Sequence, residues 1–203
     1  MAVTTEQIKE LRTATGAGIM ECRKALEQAG GDFDKAIEYL REKAEATAAK
    51  RAERQASEGV IELYSHGNGR VGVMVEVNCE TDFVARSPAF RNFAHEIALQ
   101  IAAGAPVYLR VEDIPEEVLE RERESSRSRA REEGKPEKVI DRIVEGRLEK
   151  FLNEVTLMRQ PYIRDEDITI EQLLLQNVGA IGENIVIRRF ARWELGESNP
   201  DSE

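Results

Sequence analysis

Val71-Gly72-Val73-Met74-Val75-Glu76-Val77-Asn78-Cys79-Glu80-Thr81-Asp82-Phe83-Val84-Ala85-Arg86 changes character halfway along. Up to Asn78 it alternates without a slip. Val71, Val73, Val75 and Val77 fall on one face, and Gly72, Met74, Glu76 and Asn78 on the other, which is the period of a half-buried strand. Upstream, Val60 to Ser65 reads as a second strand, and the Asn68-Gly69 pair between the two is a strong hairpin signal. Downstream, Ser87-Pro88 starts a helix as N-cap and first-turn proline. Its apolar stripe is Phe90, Phe93, Ala94, Ile97, Ala98 and Ile101, and Gly104 closes it. An antiparallel hairpin feeding an amphipathic helix makes the fold class α+β, a small antiparallel sheet with packed helices.

The connection between strand and helix is unusual. A quiet loop uses Gly, Asn or Pro, whereas this one places Phe83 among acids. An apolar ring on a loop held by a rigid strand and helix is a candidate anchor for another protein. The alternative is a satellite of the core, tucked under the following helix beside Phe90 and Phe93. The residues alone leave both open. The hairpin turn also spells Gly67-x-Gly69-x-x-Gly72, the dinucleotide fingerprint. That motif needs a strand before it and a helix after it. Here a strand follows, so the glycines serve the turn.

Working outward, residues 1–43 read as three short helices. Thr4 with Gln7 forms a capping box for the first, which turns Ile8 and Leu11 inward. Gly16-Ala17-Gly18 ends it. The second places Ile19, Cys22, Ala25, Leu26 and Ala29 at helical spacing, and Gly30-Gly31-Asp32 breaks it. Phe33, Ala36, Ile37 and Leu40 line the third. The pattern resembles the ubiquitin-associated type of three-helix domain. Residues 44–57, rich in Ala among Lys, Arg and Glu, read as a solvated helical linker. A core domain over 58–196 follows, and 197–203 reads as a disordered tail.

Within the core, residues 116–160 look like a projecting helical hairpin turning at Gly134-Lys135-Pro136. The first arm is almost wholly charged, with Val118, Leu119 and Ala130 as its apolar residues. The second carries Ile140, Val144, Leu148, Phe151, Val155 and Met158 at helical spacing. Arg127-Ser128-Arg129-Ala130-Arg131 is matched by Glu120, Glu122, Glu124, Glu132 and Glu133, so the arm reads as a self-paired, solvated face. Thr169 with Gln172 opens another helix through Leu173, Leu174 and Leu175. Gly179 and Gly182 separate it from a last strand, Asn184 to Leu195. There Ile185, Ile187, Ala191, Trp193 and Leu195 share one face, interrupted by Arg189.

Composition narrows the function. The 203 residues carry a net charge of −10, a poor match for a phosphate backbone, and no segment offers a basic face, so no direct nucleic-acid partner is expected. Glu6, Lys9, Glu10 and Arg12 exclude the apolar core of a signal peptide. No apolar run approaches the roughly 20 residues of a membrane span. Cys22 and Cys79 have no CxxC partner and suit a reducing cytoplasm. Neither His66 nor His95 has metal-ligand spacing. There is no phosphate loop and no nucleophile motif. The expectation is a binding protein without a cofactor or metal, not an enzyme.

Two longer segments carry a resemblance. Thr15-Gly16-Ala17-Gly18-Ile19-Met20-Glu21-Cys22-Arg23-Lys24-Ala25-Leu26 resembles the N-terminal signature of the bacterial elongation factor Ts family, and Val75 to Val84 its second signature. Gly134-Lys135-Pro136, Val144-Glu145-Gly146-Arg147, Gly182-Glu183-Asn184 and Ile187-Arg188-Arg189-Phe190 are similar to further family segments. The likeness runs from about residue 4 to 196, in the short form with one core repeat.

The resemblance implies a guanine-nucleotide exchange factor for the translation GTPase elongation factor Tu, in GDP-bound and nucleotide-free states. It implies an exchange loop of Thr81, Asp82, Phe83 and Val84 that enters near the partner's magnesium and nucleotide. It implies docking of the small domain through Arg12, Ile19 and Met20. Many members carry Met where this chain has Ile19, an apolar exchange. Short members can dimerise, which would give a 2:2 complex. A covalent dimer through the last strand is not expected, because no cysteine follows Cys79, but an exposed last strand can pair with its copy. The rival reading is a scaffold whose three-helix domain binds ubiquitin-like or nascent-chain partners and whose Thr81–Val84 loop is buried.

Overall fold

The computed structural model describes residues 3–197, so the remainder of the expected tail, 198–203, lies outside the described residues. In chain order the elements are α1 (Thr5–Thr15), α2 (Ile19–Gln28), α3 (Phe33–Arg51), β1 (Glu58–His66), β2 (Val71–Cys79), α4 (Asp82–Ala85) and α5 (Pro88–Gly104). Then come α6 (Glu116–Glu132), α7 (Glu137–Val155), β3 (Pro161–Tyr162), β4 (Asp165–Thr169), α8 (Ile170–Ile181) and β5 (Val186–Glu194). The fold class is α+β, as the sequence predicts. Two compact units make up the chain: residues 1–98 with 171–203, and residues 99–170.

In the first unit the capping box at Thr4 forms as read, with the Gln7 N–H donating to Thr4 and the Gln7 side chain accepting the Thr4 N–H. The bundle closes around Leu11, Cys22, Ala25, Leu26, Ala36 and Leu40. The third bundle helix runs on without a break into the first part of the expected linker as α3, which ends at Arg51, so residues 52–57 are not helical. Its Ala-rich half is not solvated all round. Ala48 is buried, and the Arg51 guanidinium donates to the Val178 carbonyl at 2.9 Å. A Cβ on Gly179 would stand 3.4 Å from that of Ala44. α3 and α8 thus lie within side-chain contact at these two small residues.

The sheet has the order β1-β2-β5, antiparallel throughout. Asn68 and Gly69 take the left-handed backbone their turn requires, with φ of 56° and 84°. Val73, Val75 and Val77 are buried. The stripe of α5 is buried too, and its His95 Nδ1 lies 3.0 Å from Oε1 of Glu62, opposite Val75 on the same sheet face. The last strand departs from the single-face reading. Val77 pairs with Ile187 but Glu76 pairs with Arg189, so Arg188 is an extra, bulged residue. One extra residue exchanges the faces beyond it. Ile185 and Ile187 are buried with the valines, whereas Trp193 and Leu195 lie exposed. Trp193 is paired with Gly72 and Ala191 with Met74, on the opposite face.

The second unit holds α6 and α7, which pack antiparallel along Ala130, Ile140 and Val144. Ala130, nearly the only apolar residue of its arm's outer half, is fully buried. Nearer the base, Gln100 and Gln160 are both buried. Gln100 donates to Gln160 at 3.1 Å and accepts from the Ile163 N–H at 2.9 Å. Gln160 donates to the Gly104 and Glu154 carbonyls at 2.9 and 2.8 Å. These bonds satisfy backbone groups where the chain turns.

Candidate functional site

The turn after β2 is too short to stabilise itself. Its helical part, α4, has four residues, and helices of that length do not persist alone. Thr81 caps it from an extended conformation, its hydroxyl oxygen accepting from the Val84 N–H at 3.4 Å. Below the turn, Oε2 of Glu183 accepts from the Glu80 and Thr81 N–H groups, each at 3.0 Å. Oε1 of Glu183 accepts from the Thr81 hydroxyl at 2.6 Å. The exchange is mutual, since Oε1 of Glu80 accepts from the Asn184 N–H at 2.7 Å. Asn184 donates in turn to the Arg54 carbonyl at 2.8 Å.

Cys79 closes the inner side. It is fully buried, and its thiol donates to the Thr81 carbonyl at 3.2 Å. Burial, then the neighbouring Glu183 carboxylate, pushes this thiol up to about 11. It is therefore protonated and unreactive at neutral pH. On the far side the Arg91 guanidinium donates to the Ala85 carbonyl at 2.9 Å, and Ala85 is buried. Asp82 pairs one turn along with Arg86 at 3.1 Å.

The result is a fixed platform with one apolar projection. Phe83 is 83% exposed, while Phe90 and Phe93 are at 0% and 2%. That contrast separates the two readings of the ring: Phe83 is no core satellite. A fully exposed phenyl on a hydrogen-bonded turn is an arrangement for contact with another molecule.

A second exposed apolar pair stands on the bundle. Ile19 and Met20 open α2 behind Gly18 and are 54% and 71% exposed. Arg12, also exposed, lies in the last turn of α1. The lysine and glutamate behind them, Lys43 and Glu21, are paired at 2.7 Å.

Sequence reasoning placed the turn but gave Glu183 and Glu80 no part in it. The acid between Gly182 and Asn184 was visible as a family segment, but nothing local connects it to residue 81. Among the described residues, no group of three or more His, Cys, Asp or Glu is arranged to hold a metal ion. No helix there is long and apolar enough to cross a membrane.

The family model described as "Elongation factor TS" matches residues 2–197. The chain is similar to "Elongation factor Ts" of Carboxydothermus hydrogenoformans, 58% identical over 96% of this chain and 90% of that one. It is likewise similar to "Elongation factor Ts" of Caldanaerobacter subterraneus, 58% identical over 96% of this chain and 98% of that one. The same name belongs to a Moorella thermoacetica protein, 53% identical over 99% of both chains.

Proposed function

The chain belongs to the elongation factor Ts family, whose role is nucleotide exchange on the translation GTPase elongation factor Tu, and we propose how this member performs it. The Thr81–Val84 turn enters the partner beside its magnesium and nucleotide, with Phe83 as the wedge. Arg12, Ile19 and Met20 supply a second grip on the same partner. Two tethered contacts raise the effective concentration of each for the other. The observation that carries this reading is the exposure of Phe83 on a turn whose backbone is otherwise satisfied.

Such a protein acts by differential binding and uses no catalytic acid, base or metal of its own. It holds the nucleotide-free partner more tightly than the GDP-bound one. By linkage, the coupling that expels GDP weakens the complex when nucleotide returns. Each tenfold weakening of GDP takes about 1.4 kcal/mol, and burying one Phe contributes roughly 1.5–3 kcal/mol. The ring alone therefore does not account for a thousandfold effect, and disturbed magnesium contacts in the partner supply the rest. The setting is the cytoplasm, where elongation takes place.

The same reading includes self-association. The open face of the sheet carries Ile61, Leu63, Met74, Trp193 and Leu195, all exposed. Its rim charge is neutralised internally, with Arg189 donating to Glu76 at 2.8 Å. A second copy covering this face would give a 2:2 complex. Mixing the protein with elongation factor Tu loaded with fluorescent GDP tests the exchange activity, and faster GDP release is the expected result. A measured mass of the complex tests the stoichiometry. The rival scaffold role predicts a buried Thr81–Val84 loop and no effect on GDP release.

A further inference from the structure

Glu183 lies 102 residues beyond Thr81, yet it touches the presented turn at three points. Three donors converge there: two backbone N–H groups and one hydroxyl. An ionised carboxylate is acceptor-only and has room for all three. Such charge-assisted bonds are about twice as strong as neutral ones. Two single side-chain bonds add to these, from the Cys79 thiol to the Thr81 carbonyl and from Arg91 to the Ala85 carbonyl, and apolar burial adds little. Phe83 faces solvent, so its burial fixes nothing, and Ala85 is the only buried residue of α4. The Thr81 oxygen that caps α4 is the atom whose proton points to Glu183. The carboxylate therefore sets the hydroxyl's orientation and leaves its lone pair for Val84.

We propose that Glu183 is the positioning residue of the exchange turn, holding Thr81 and its cap so that Phe83 is presented before the partner arrives. This rests on the reading of Thr81–Val84 as the exchange element. Without the carboxylate, the Glu80 and Thr81 N–H groups turn to water and the turn becomes an ensemble. Only the competent fraction then binds, and apparent affinity falls by that fraction. Ordering that the free protein already has would have to occur on contact instead.

The test compares Glu183→Ala, Glu183→Gln, Phe83→Ala and the Glu183→Ala/Phe83→Ala double variant. Each is assayed with elongation factor Tu carrying fluorescent GDP, alongside thermal melting and amide hydrogen exchange at Glu80 and Thr81. Glu183→Ala should lower the second-order exchange rate constant by about 10- to 100-fold. It should also lose amide protection at those two residues, with a melt close to that of the parent. Glu183→Gln keeps a carbonyl acceptor and should stay within about fivefold. The double variant should be no slower than the slower single variant. Multiplying losses, a Gln variant no better than Ala, or a lowered melt with those two amides still protected would overturn the proposal.

If Phe83→Ala exchanges at the parent rate, the reading of the turn fails and this inference with it. If Phe83→Ala is slow while Glu183→Ala is not, the reading stands and only the role of Glu183 falls. Should Glu183→Ala not fold, Glu183→Asp takes its place under the same expectation. It keeps the charge but withdraws the carboxylate by one methylene.

Discussion

The Thr81–Arg86 turn and the α6–α7 hairpin both show most of their surface to water, and they do so in opposite ways. Much of the charge on the hairpin is answered within it. Arg131 pairs with Glu137 at 2.7 Å, Arg147 with Glu133 at 2.7 Å, and Arg123 with Glu116 at 3.0 Å and with Glu120. Its one buried hydroxyl, on Ser126, donates to Glu122 at 3.1 Å, and Arg147 caps the Ser126 carbonyl at 3.2 Å. The turn shows a bare ring, and its polar groups are engaged from beneath. Exposed charge that is satisfied within its own element leaves little for a partner to gain. An exposed ring on a backbone that cannot collapse over it leaves apolar area that only another molecule can cover.

Two phenylalanines break or sharpen this contrast most. Phe90→Ala should destabilise the fold by about 3–5 kcal/mol, as a buried ring does. Phe83→Ala should leave stability within about 0.5 kcal/mol yet slow GDP release by about 10- to 100-fold. Equal melting losses in denaturation curves would mean that the turn is part of the core after all. Met20→Ala comes next, with an expected loss of about tenfold or less in affinity for elongation factor Tu by calorimetric titration, because it removes one exposed apolar side chain. Unchanged affinity would take Met20 out of the second grip and leave it to Arg12 and Ile19.

Replacing residues 124–146 with a short Gly-Ser turn should move the melting temperature by only a few degrees and spare basal exchange. Ala130, Ile140 and Val144 pack on one another, so the replacement removes both sides of that seam together. A folded variant that loses exchange would place the hairpin at the partner. The smallest effect expected is that of Glu76→Gln. Hydrogen bonding to Arg189, then to Asn78, holds the Glu76 carboxyl below its ordinary value of 4.5. A lowered native value stabilises the fold above pH 4.5, and that contribution is lost as pH falls through the native value. Glu76→Gln should therefore cost about 1 kcal/mol or less at pH 7. The gap from the parent should close in acid, as followed by denaturation at several pH values.

Local pattern carried the sequence reading a long way. The alternation of β2, the Asn68-Gly69 turn, the capping box at Thr4 and the stripe of α5 each follow from neighbours within a few residues. What escaped depends on distant partners. The face switch of β5 arises where Arg188 has no opposite number on β2, and a strand's own sequence does not show its partner's register. The engaged side of α3's second half faces Val178 and Gly179 of α8. Alanine gives no sign of it, because it suits a packed face and a solvated one equally. The exposure of Phe83 was undecidable for the same reason, since the residues that hold its turn lie at the other end of the chain.

The mutual carboxylate bonds between residues 80–81 and 183–184 also impose an order in time. A ribosome making this chain completes β1, β2 and the turn about a hundred residues before it delivers Glu183 and β5. Until then the sheet has two of its three strands, with α5 to pack on them, and Thr81 has no carboxylate beneath it. On the positioning role proposed for Glu183, the ring takes its presented form as the last strand docks. A chain released early, or cut ahead of residue 183, would keep the Thr81–Val84 sequence intact yet lack the carboxylate that bonds to it from beneath.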